Sequence, residues 1–177
     1  MTGPESPPQG ATPADPAPRD WPVRDRQGFL DGVTWGFRQA MAGGARQLLC
    51  TDPDFQHWPL DDRALLDELG RWLRLPQRRL VMLATDWSRV PQRHGRFTAW
   101  RRDWAHAIDT LRPQPEDVSE LPTLLIDDRE VCVRLFDAAQ WRGRCQLDEG
   151  EVRQWQHEFA RVVERASPDF PVTSLGL

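Results

Sequence analysis

Helical and strand-like apolar patterns alternate along the chain between about residues 27 and 166, and this alternation restricts the fold more than any other feature. The first pattern repeats at helical spacing from Leu30 to Met41 and ends at Gly43. Short apolar runs typical of buried strands separate the later helices. The resulting order is αβαβα, then a hairpin, then α. It predicts an α/β domain whose mixed sheet has about 4–6 strands and helices on both faces.

Two short apolar runs form the expected centre of the sheet. Residues 46–51 precede a turn-forming Asp-Pro-Asp cluster, and residues 80–84 form a continuous apolar run typical of a strand covered on both faces. A helix capped by Asp61 or Asp62 lies between them. Because a crossover helix usually joins parallel strands, we expect this pair to be parallel.

A third helix is predicted from about Ser88, because apolar residues again recur at helical spacing. Its apolar face holds Phe97, Trp100, Trp104 and Ile108. We therefore expect Trp100 and Trp104 to lie in the core, and the opposite face of this helix to be basic.

The last third of the chain predicts a hairpin and a final helix. Two β-rich runs, residues 121–126 and 131–136, are joined by four polar residues, which is hairpin spacing. Asp148 and Glu151 form a capping box in front of the helix, and Pro168 ends it. The hairpin should add antiparallel strands to the sheet.

Composition divides the chain into three parts. Residues 1–25 hold seven of the sixteen prolines and few apolar side chains, which predicts a disordered proline-rich tail. Residues 26–168 form a single α/β domain, and residues 169–177 form a C-terminal extension. No apolar run approaches the ~20 residues of a membrane span. The first residues carry no secretory signal, so we expect a cytoplasmic protein.

The charge of the chain bears on its partner. All 23 basic residues are Arg, and Lys, Tyr and Asn are absent, which indicates a GC-rich bacterial genome. Arginine abundance alone therefore does not indicate phosphate recognition. The net charge of −4 argues against a dedicated nucleic-acid binder. We expect an unidentified protein or anionic partner, with nucleic acid possible but not favoured.

The arginines are nevertheless unevenly distributed. Between residues 63 and 102, ten arginines accompany only three acidic residues. Arg89, Arg93 and Arg96, at positions i, i+4 and i+7, are the anion-binding candidates of the sequence. Four more could join them: Arg71, Arg74, Arg78 and Arg79. Two interpretations stay open, a patch that holds phosphates by charge and bidentate hydrogen bonds, or a solvated helix face.

Asp52, Asp54 and His57 form the best catalytic candidate, because they follow a strand end where α/β folds often place their sites. Carboxylates beside a histidine could bind a metal or exchange protons. The alternative is that both aspartates cap the turn around Pro53.

The remaining reactive residues indicate no cofactor or metal site. Cys50, Cys132 and Cys145 are too widely spaced for a disulfide framework or a paired zinc knuckle. We expect the first two to be buried strand residues. No glycine-rich phosphate loop follows a strand. Three histidines stand alone on predicted helices and are more typical of surface residues than of ligands: His94, His106 and His157.

The order of elements over residues 27–166 resembles one half of the phospholipase D superfamily. In that superfamily the hairpin strand carries H-x-K-x-x-x-x-D, where the His attacks phosphorus and the Lys holds phosphate oxygens. The closing pattern S-P-x-F-P-x-T-x-L-G-L, residues 167–177, resembles an uncharacterised proteobacterial family of this degenerate kind.

The catalytic residues of the superfamily are missing in either alignment of its motif. With Asp128 at the Asp position, Leu121 and Thr123 replace the His and the Lys. With Asp127 there instead, the replacements are Glu120 and Pro122. The resemblance therefore implies the fold without its reaction.

These observations predict a non-catalytic binding or adaptor domain on a degenerate phospholipase D-like scaffold. One alternative is a phosphoester hydrolase, or another enzyme, that uses Asp52, Asp54 and His57. The other is a nucleic-acid-binding module, which requires the arginine patch to be contiguous in space.

Overall fold

A computed structural model describes residues 20–172 of the 177-residue chain. Most of the predicted tail, residues 1–19, lies outside the described residues. The last part of the predicted extension, residues 173–177, lies outside them as well.

Eight strands in the described part of the chain form one mixed sheet, with the order β1-β7-β6-β5-β2-β3-β4-β8. The strands are β1 (Asp20–Val23), β2 (Gln47–Thr51), β3 (Arg79–Leu83), β4 (Ile108–Arg112), β5 (Leu124–Asp127), β6 (Val131–Asp137), β7 (Arg142–Leu147) and β8 (Ser167–Pro168). The α/β class and the mixed sheet are confirmed. The expectation of about 4–6 strands is wrong, because β1, β4, β7 and β8 lack the continuous apolar runs that marked the other four.

Helices cover both faces of the sheet. They are α1 (Arg26–Ala42), α2 (Arg63–Leu73), α3 (Val90–Arg93), α4 (Gly95–Trp100) and α5 (Glu149–Arg165), and a 3-10 turn spans Arg101–Trp104. Side chains of β2 alternate between two cores: Leu48 and Cys50 face the core under α1, α2 and α4, whereas Leu49 faces the core under α5. We refer to these as the first and second faces of the sheet.

The predicted sheet centre and helix caps are confirmed. Strands β2 and β3 pair in parallel, and β5 and β6 pair antiparallel. The Asp62 carboxylate accepts a hydrogen bond from Leu65 N (2.8 Å) at the start of α2. Asp148 accepts one from Glu151 N (3.0 Å) at the start of α5. Local capping chemistry thus sets both helix starts.

The predicted tail boundary at residue 25 is wrong, because residues 20–23 form the edge strand β1. It pairs antiparallel with β7, and Val23 is only 2% exposed. The Trp21 and Trp35 rings make an edge-to-face contact with centroids 4.5 Å apart. These contacts bury Val23 and partly bury Trp21, and this burial offsets the entropy cost of ordering the segment.

The predicted third helix is interrupted. Its first part, α3, ends at Arg93, because the next residue, His94, has a ψ of 61°, outside the helical range; α4 begins at Gly95. The 3-10 turn follows α4, and Ile108 then opens β4, which runs parallel to β3. The apolar residues thus keep a helical spacing beyond the point where the helix ends, which is why the sequence predicted one longer helix.

Two glycines bring α1 close to the sheet. A Cβ on Gly32 would overlap Cys145 of β7, and a Cβ on Gly36 would overlap Leu125 of β5. Because these two glycines have no side chain, the α1 backbone can lie directly on the first face. No helix of residues 20–172 combines the length and apolarity needed to cross a membrane.

Candidate nucleic-acid interface

Helix α4 and the following 3-10 turn lie alongside α2 and share a surface with it. Asp61, which precedes α2, accepts hydrogen bonds through Oδ1 from Arg96 N (2.8 Å) and Phe97 N (3.2 Å). The Arg96 guanidinium donates to the main-chain oxygen of Asp61 (2.8 Å). These bonds hold the start of α4 against the start of α2.

Gly70 allows two indole rings to lie directly on α2. A Cβ at Gly70 would stand 3.3 Å from Trp104 Cζ2 and 3.5 Å from Trp100 Nε1. The ring centroids of Trp100 and Trp104 are 6.1 Å apart. Both rings pack against the core and remain partly exposed. Their predicted place inside the core is thus corrected, because the interrupted helix leaves one side of each ring at the surface.

Arg74 and His106 extend this surface past the end of α2. The Arg74 guanidinium carbon lies 5.7 Å from the centroid of the Trp104 ring, a cation–π distance. The His106 ring centroid lies 6.2 Å from that of Trp104. We call the area formed by Arg74, Arg96, Trp100, Trp104 and His106 the seam surface.

Arg78 lies near the same end of the sheet. Leu80 of β3 pairs with Ile108 of β4, so Arg78 and His106, two positions before them in the chain, precede the two strands at the same end of the sheet. Arg78 Nε is buried and has no hydrogen-bond partner among the described residues. The same guanidinium donates through Nη1 to the main-chain oxygen of Pro76 (3.1 Å), which holds the side chain against the loop after α2.

The predicted trio of arginines does not form one stripe. Arg89 precedes α3, Arg93 ends it, and Arg96 belongs to α4 beyond the break at His94. Arg93 Nε donates to the main-chain oxygen of Gln56 (3.3 Å). Only Arg96 contributes to the seam surface.

The four additional arginines also separate. Arg71 lines a groove between α1 and α2. Arg79 makes two hydrogen bonds of 2.5 and 2.7 Å to the carboxylate of Asp109. Arg74 lies on the seam surface, and Arg78 lies near its end. Arg74 lies at the end of α2 beside Trp104, whereas Arg96 bonds to Asp61 before the start of α2, so these arginines are spread along the length of that helix, with the aromatic rings packed on it at Gly70.

Asp52 is buried, and both of its carboxylate oxygens accept hydrogen bonds. Oδ1 accepts from Asp54 N (3.0 Å) and Phe55 N (2.7 Å). Oδ2 accepts from Trp58 Nε1 (3.0 Å) and Thr123 Oγ1 (2.7 Å). Four donors within the protein therefore occupy the carboxylate and fix the turn after β2.

Asp54 and His57 do not converge on a common site with Asp52. Asp54 Oδ1 accepts from Gln56 N (3.0 Å), which is a turn-capping bond. The exposed His57 ring lies edge-to-face on Trp141, with centroids 5.3 Å apart. This geometry favours the turn interpretation of the two aspartates.

His94 is a buried histidine at the junction between α3 and α4. Its Nε2 lies 2.8 Å from the main-chain oxygen of Phe55. Since a carbonyl oxygen only accepts, Nε2 carries the proton. Nδ1 is buried without a partner in the described chain. Burial lowers the pKa of His94, although the Phe55 bond and the nearby Asp61 charge oppose this.

Acid should therefore weaken the protein through His94. Its pKa in the folded state lies below that of the unfolded chain, so the folded state binds fewer protons. The free energy of unfolding should be highest above about pH 6.5 and decrease as the pH falls below it. Denaturant titrations between about pH 7.5 and 5 would measure this decrease. His94→Gln should show a smaller pH dependence, and an unchanged dependence would contradict the assignment.

The cysteines are buried and free, as predicted for Cys50 and Cys132. Burial raises the pKa of Cys145 to about 12 and raises those of Cys50 and Cys132 as well. These thiols are therefore poor nucleophiles near neutral pH. Residues 20–172 contain no group of three or more His, Cys, Asp or Glu side chains arranged to hold a metal ion.

The residues at the positions of the resembled motif have structural contacts. Leu121 is 3% exposed in the core under α5, and Thr123 donates to Asp52. Asp127 Oδ1 accepts from Arg129 N (2.9 Å) and Val131 N (2.8 Å). Burial raises the pKa of Asp127, opposed by these bonds.

The fold is similar to that of one solved structure. TrmBL2, an archaeal chromatin protein whose structure is described as showing a novel mode of DNA binding, matches with a TM-score of 0.59 and 16% sequence identity. The match covers 88% of this chain and 55% of the TrmBL2 chain. The chain thus spans about half the length of that similar structure.

The chain belongs to the family described as Domain of unknown function (DUF7931), whose profile matches residues 37–175. The match begins within α1 and includes every later element of the fold, α2 and α4 among them. No curated protein matches the chain.

Proposed function

We propose that this protein is a non-catalytic binding module for single-stranded nucleic acid, and that the seam surface is its binding site. The observation that carries the proposal is the pair of partly exposed indoles, Trp100 and Trp104, that pack against α2 at Gly70. The Arg74 guanidinium lies over the Trp104 ring. Base stacking on aromatic side chains contributes about 1–3 kcal/mol per base and tolerates any sequence. Adjacent guanidinium groups bind the phosphates.

The acidic net charge of the chain is compatible with this proposal, because charge is unevenly distributed. Ten of the 23 arginines lie between residues 63 and 102, which include α2 and α4. Helix α5, on the opposite face, carries Glu149, Glu151, Glu158 and Glu164. A local basic surface on an acidic protein still attracts a polyanion and orients it.

The similarity to TrmBL2 supports the choice of ligand. DNA binding is described for TrmBL2 itself. Because this chain shares that fold over most of its length, nucleic acid is the ligand class that we carry over as part of the proposal.

The proposed scaffold is a degenerate half of the phospholipase D fold. Leu121 and Thr123, at the positions of the catalytic His and Lys in one alignment, cannot act as a nucleophile–cation pair. The alternative of an enzyme that uses Asp52, Asp54 and His57 has less support, because four donors occupy the Asp52 carboxylate.

The proposal can be tested by fluorescence anisotropy with a labelled oligo-dT of about 20 nucleotides, which exceeds typical single-strand site sizes of about 4–16 nucleotides. The parent should bind, with an affinity that decreases as salt increases. Arg74→Gln, at an exposed position of the seam surface, should reduce the slope of log K against log salt by about 0.7 for each phosphate that the variant no longer binds. Trp104→Leu should weaken binding by about 1–3 kcal/mol.

Arg161→Gln is the matched charge control, because Arg161 is exposed on α5 and lies far along the chain from the seam surface. It should bind like the parent. The proposal fails if the parent ignores the probe at low salt, or if all variants bind equally well. Circular dichroism would confirm that each variant is folded.

A further inference from the structure

Part of the second sheet face is open within the described residues. Helix α5 covers the centre of that face, where its side chains pack with those of β2, β3, β5 and β6. Strands β7 and β1 extend the sheet beyond this region. Their side chains on the second face are polar or exposed: Asp20, Pro22, Arg142, Arg144 and Gln146.

An exposed aromatic ring stands at the edge of this open area. Phe136 of β6 is 57% exposed, more than any other large apolar side chain that the structure describes. The Arg134 guanidinium carbon lies 4.4 Å from the centroid of the Phe136 ring and 5.3 Å from that of Trp155 in α5. The guanidinium thus holds the ring in place while leaving much of it exposed.

Two of the arginines on the open face already have acidic partners. Arg134 pairs with Glu151 (2.8 Å), and Arg144 pairs with Asp20. These pairs fix the two guanidinium groups without removing them from the surface, since Arg144 is 52% exposed.

Two further arginines remain available beside Phe136. Asp137 of β6 pairs with Arg142 of β7, so Phe136 and Arg142 are neighbours across the strands. Val23 pairs with Gly143, and the register therefore brings Arg24 level with Arg142. Neither Arg24 nor Arg142 has a hydrogen bond or ion pair with another described side chain. We call Arg24, Arg134, Phe136, Arg142 and Arg144 the open-face site.

We infer that the open-face site is a second surface for single-stranded nucleic acid, so that one molecule bridges two strands. This inference rests on the proposed function. An exposed ring on an open sheet can stack on a base, and the two unpaired guanidinium groups beside it can bind the adjoining phosphates. The guanidinium groups of Arg24 and Arg142, which lack a carboxylate partner among the described side chains, are the charges that favour a polyanion as the occupant of the open-face site.

The two sites lie on opposite faces of the sheet and towards opposite edges. The seam surface lies on the first face, and its end near His106 is beside β4, close to one edge of the sheet. The open-face site lies on the second face beside β1, which forms the other edge. The thickness and the width of the domain therefore separate them, so a strand bound at one site leaves the other open to a second strand.

Bridging can be measured as energy transfer between donor-labelled and acceptor-labelled oligo-dT of about 10 nucleotides, mixed with parent protein at low salt. The parent should bind two oligonucleotides and give energy transfer. Phe136→Ala with Arg142→Gln should still bind one oligonucleotide with nearly the parent affinity, but weaken the second site about tenfold or more. Arg74→Gln with Trp104→Leu should likewise retain one site and lose energy transfer.

The outcomes separate the two proposals. If the parent binds one oligonucleotide without energy transfer, or if the Phe136 and Arg142 double variant still bridges, the inference is wrong and the proposed function stands. If the parent binds no oligonucleotide, the proposed function is wrong and the inference falls with it. Arg161→Gln should bridge like the parent, which controls for the removal of one positive charge.

Discussion

Asp52→Ala should destabilise the protein by about 3–5 kcal/mol, a large part of the roughly 5–15 kcal/mol that stabilises a typical domain. The substitution removes the acceptor of three buried donors, Phe55 N, the Trp58 indole and the Thr123 hydroxyl, and of the part-buried Asp54 N. Each buried donor left without a partner costs about 1–3 kcal/mol, and water entering the cavity would recover part of the sum. Urea unfolding monitored by circular dichroism would measure the decrease in stability.

Asp54→Asn is the matched control, because Asp54 makes a single bond to Gln56 N that an amide oxygen can replace. Its unfolding free energy should stay within about 0.5 kcal/mol of the parent value. Asp52→Asn should fall between the two variants, since its amide can keep the Oδ1 bonds but places a donor opposite Trp58 Nε1. A stable Asp52→Ala protein that lost a phosphoester hydrolase activity would instead support the enzyme alternative.

The role of Asp52 also explains why this site was ambiguous in the sequence. An Asp-Pro-Asp cluster after a strand is typical both of a turn and of an α/β active site. The partner that decides between them, Thr123, is distant in the chain and meets Asp52 only because β2 and β5 are neighbours. No local pattern contains that pairing.

The sequence predicted elements well where local chemistry and burial agree. Asp62 and Asp148 both cap helices, and their signals involve only a few consecutive residues. The parallel pair β2 and β3 was predictable because both strands are continuous apolar runs flanking a helix. Predicting these elements required only neighbouring residues and one crossover connection between strands.

Prediction failed where an element owes its conformation to distant neighbours. Strand β1 is only four residues long and contains Pro22, yet Trp21 and Val23 pack on α1. The third helix shows the opposite problem, since its apolar spacing runs on to Ile108, which lies in β4. Periodicity indicates which residues share a face, but not where a short helix stops.

The seam surface could have been found in part from the sequence. Gly70 lies inside an otherwise strong helix pattern, where glycine is unfavourable and often marks close packing. Its partners, Trp100 and Trp104, were visible at helical spacing. The exposure of the two rings could not be predicted from the sequence, because it depends on the break at His94 and on the position of α4 beside α2.

Phe170→Ala should destabilise the protein by about 2–4 kcal/mol, somewhat less than the truncation of a fully buried Phe because the ring is partly exposed. The Phe170 ring stacks on Trp87 with centroids 5.4 Å apart and an interplanar angle of 7°. On its other side lies the Arg101 guanidinium, whose carbon is 4.0 Å from the ring centroid. The closing segment after α5 is thus anchored by one ring between an indole and a cation.

Arg101 makes this anchor important, because it is 3% exposed and has no acidic partner among residues 20–172. Burial lowers the pKa of Arg101 to about 10, and the guanidinium depends on Thr110 Oγ1 (3.1 Å), the Phe170 main-chain oxygen and the ring. Removing the ring should loosen the segment and leave a buried cation poorly compensated. Val172→Ala, at a 38% exposed position nearby, should change the unfolding free energy by less than about 0.5 kcal/mol. Equal stability of the two variants in urea would show that Phe170 does not anchor this segment.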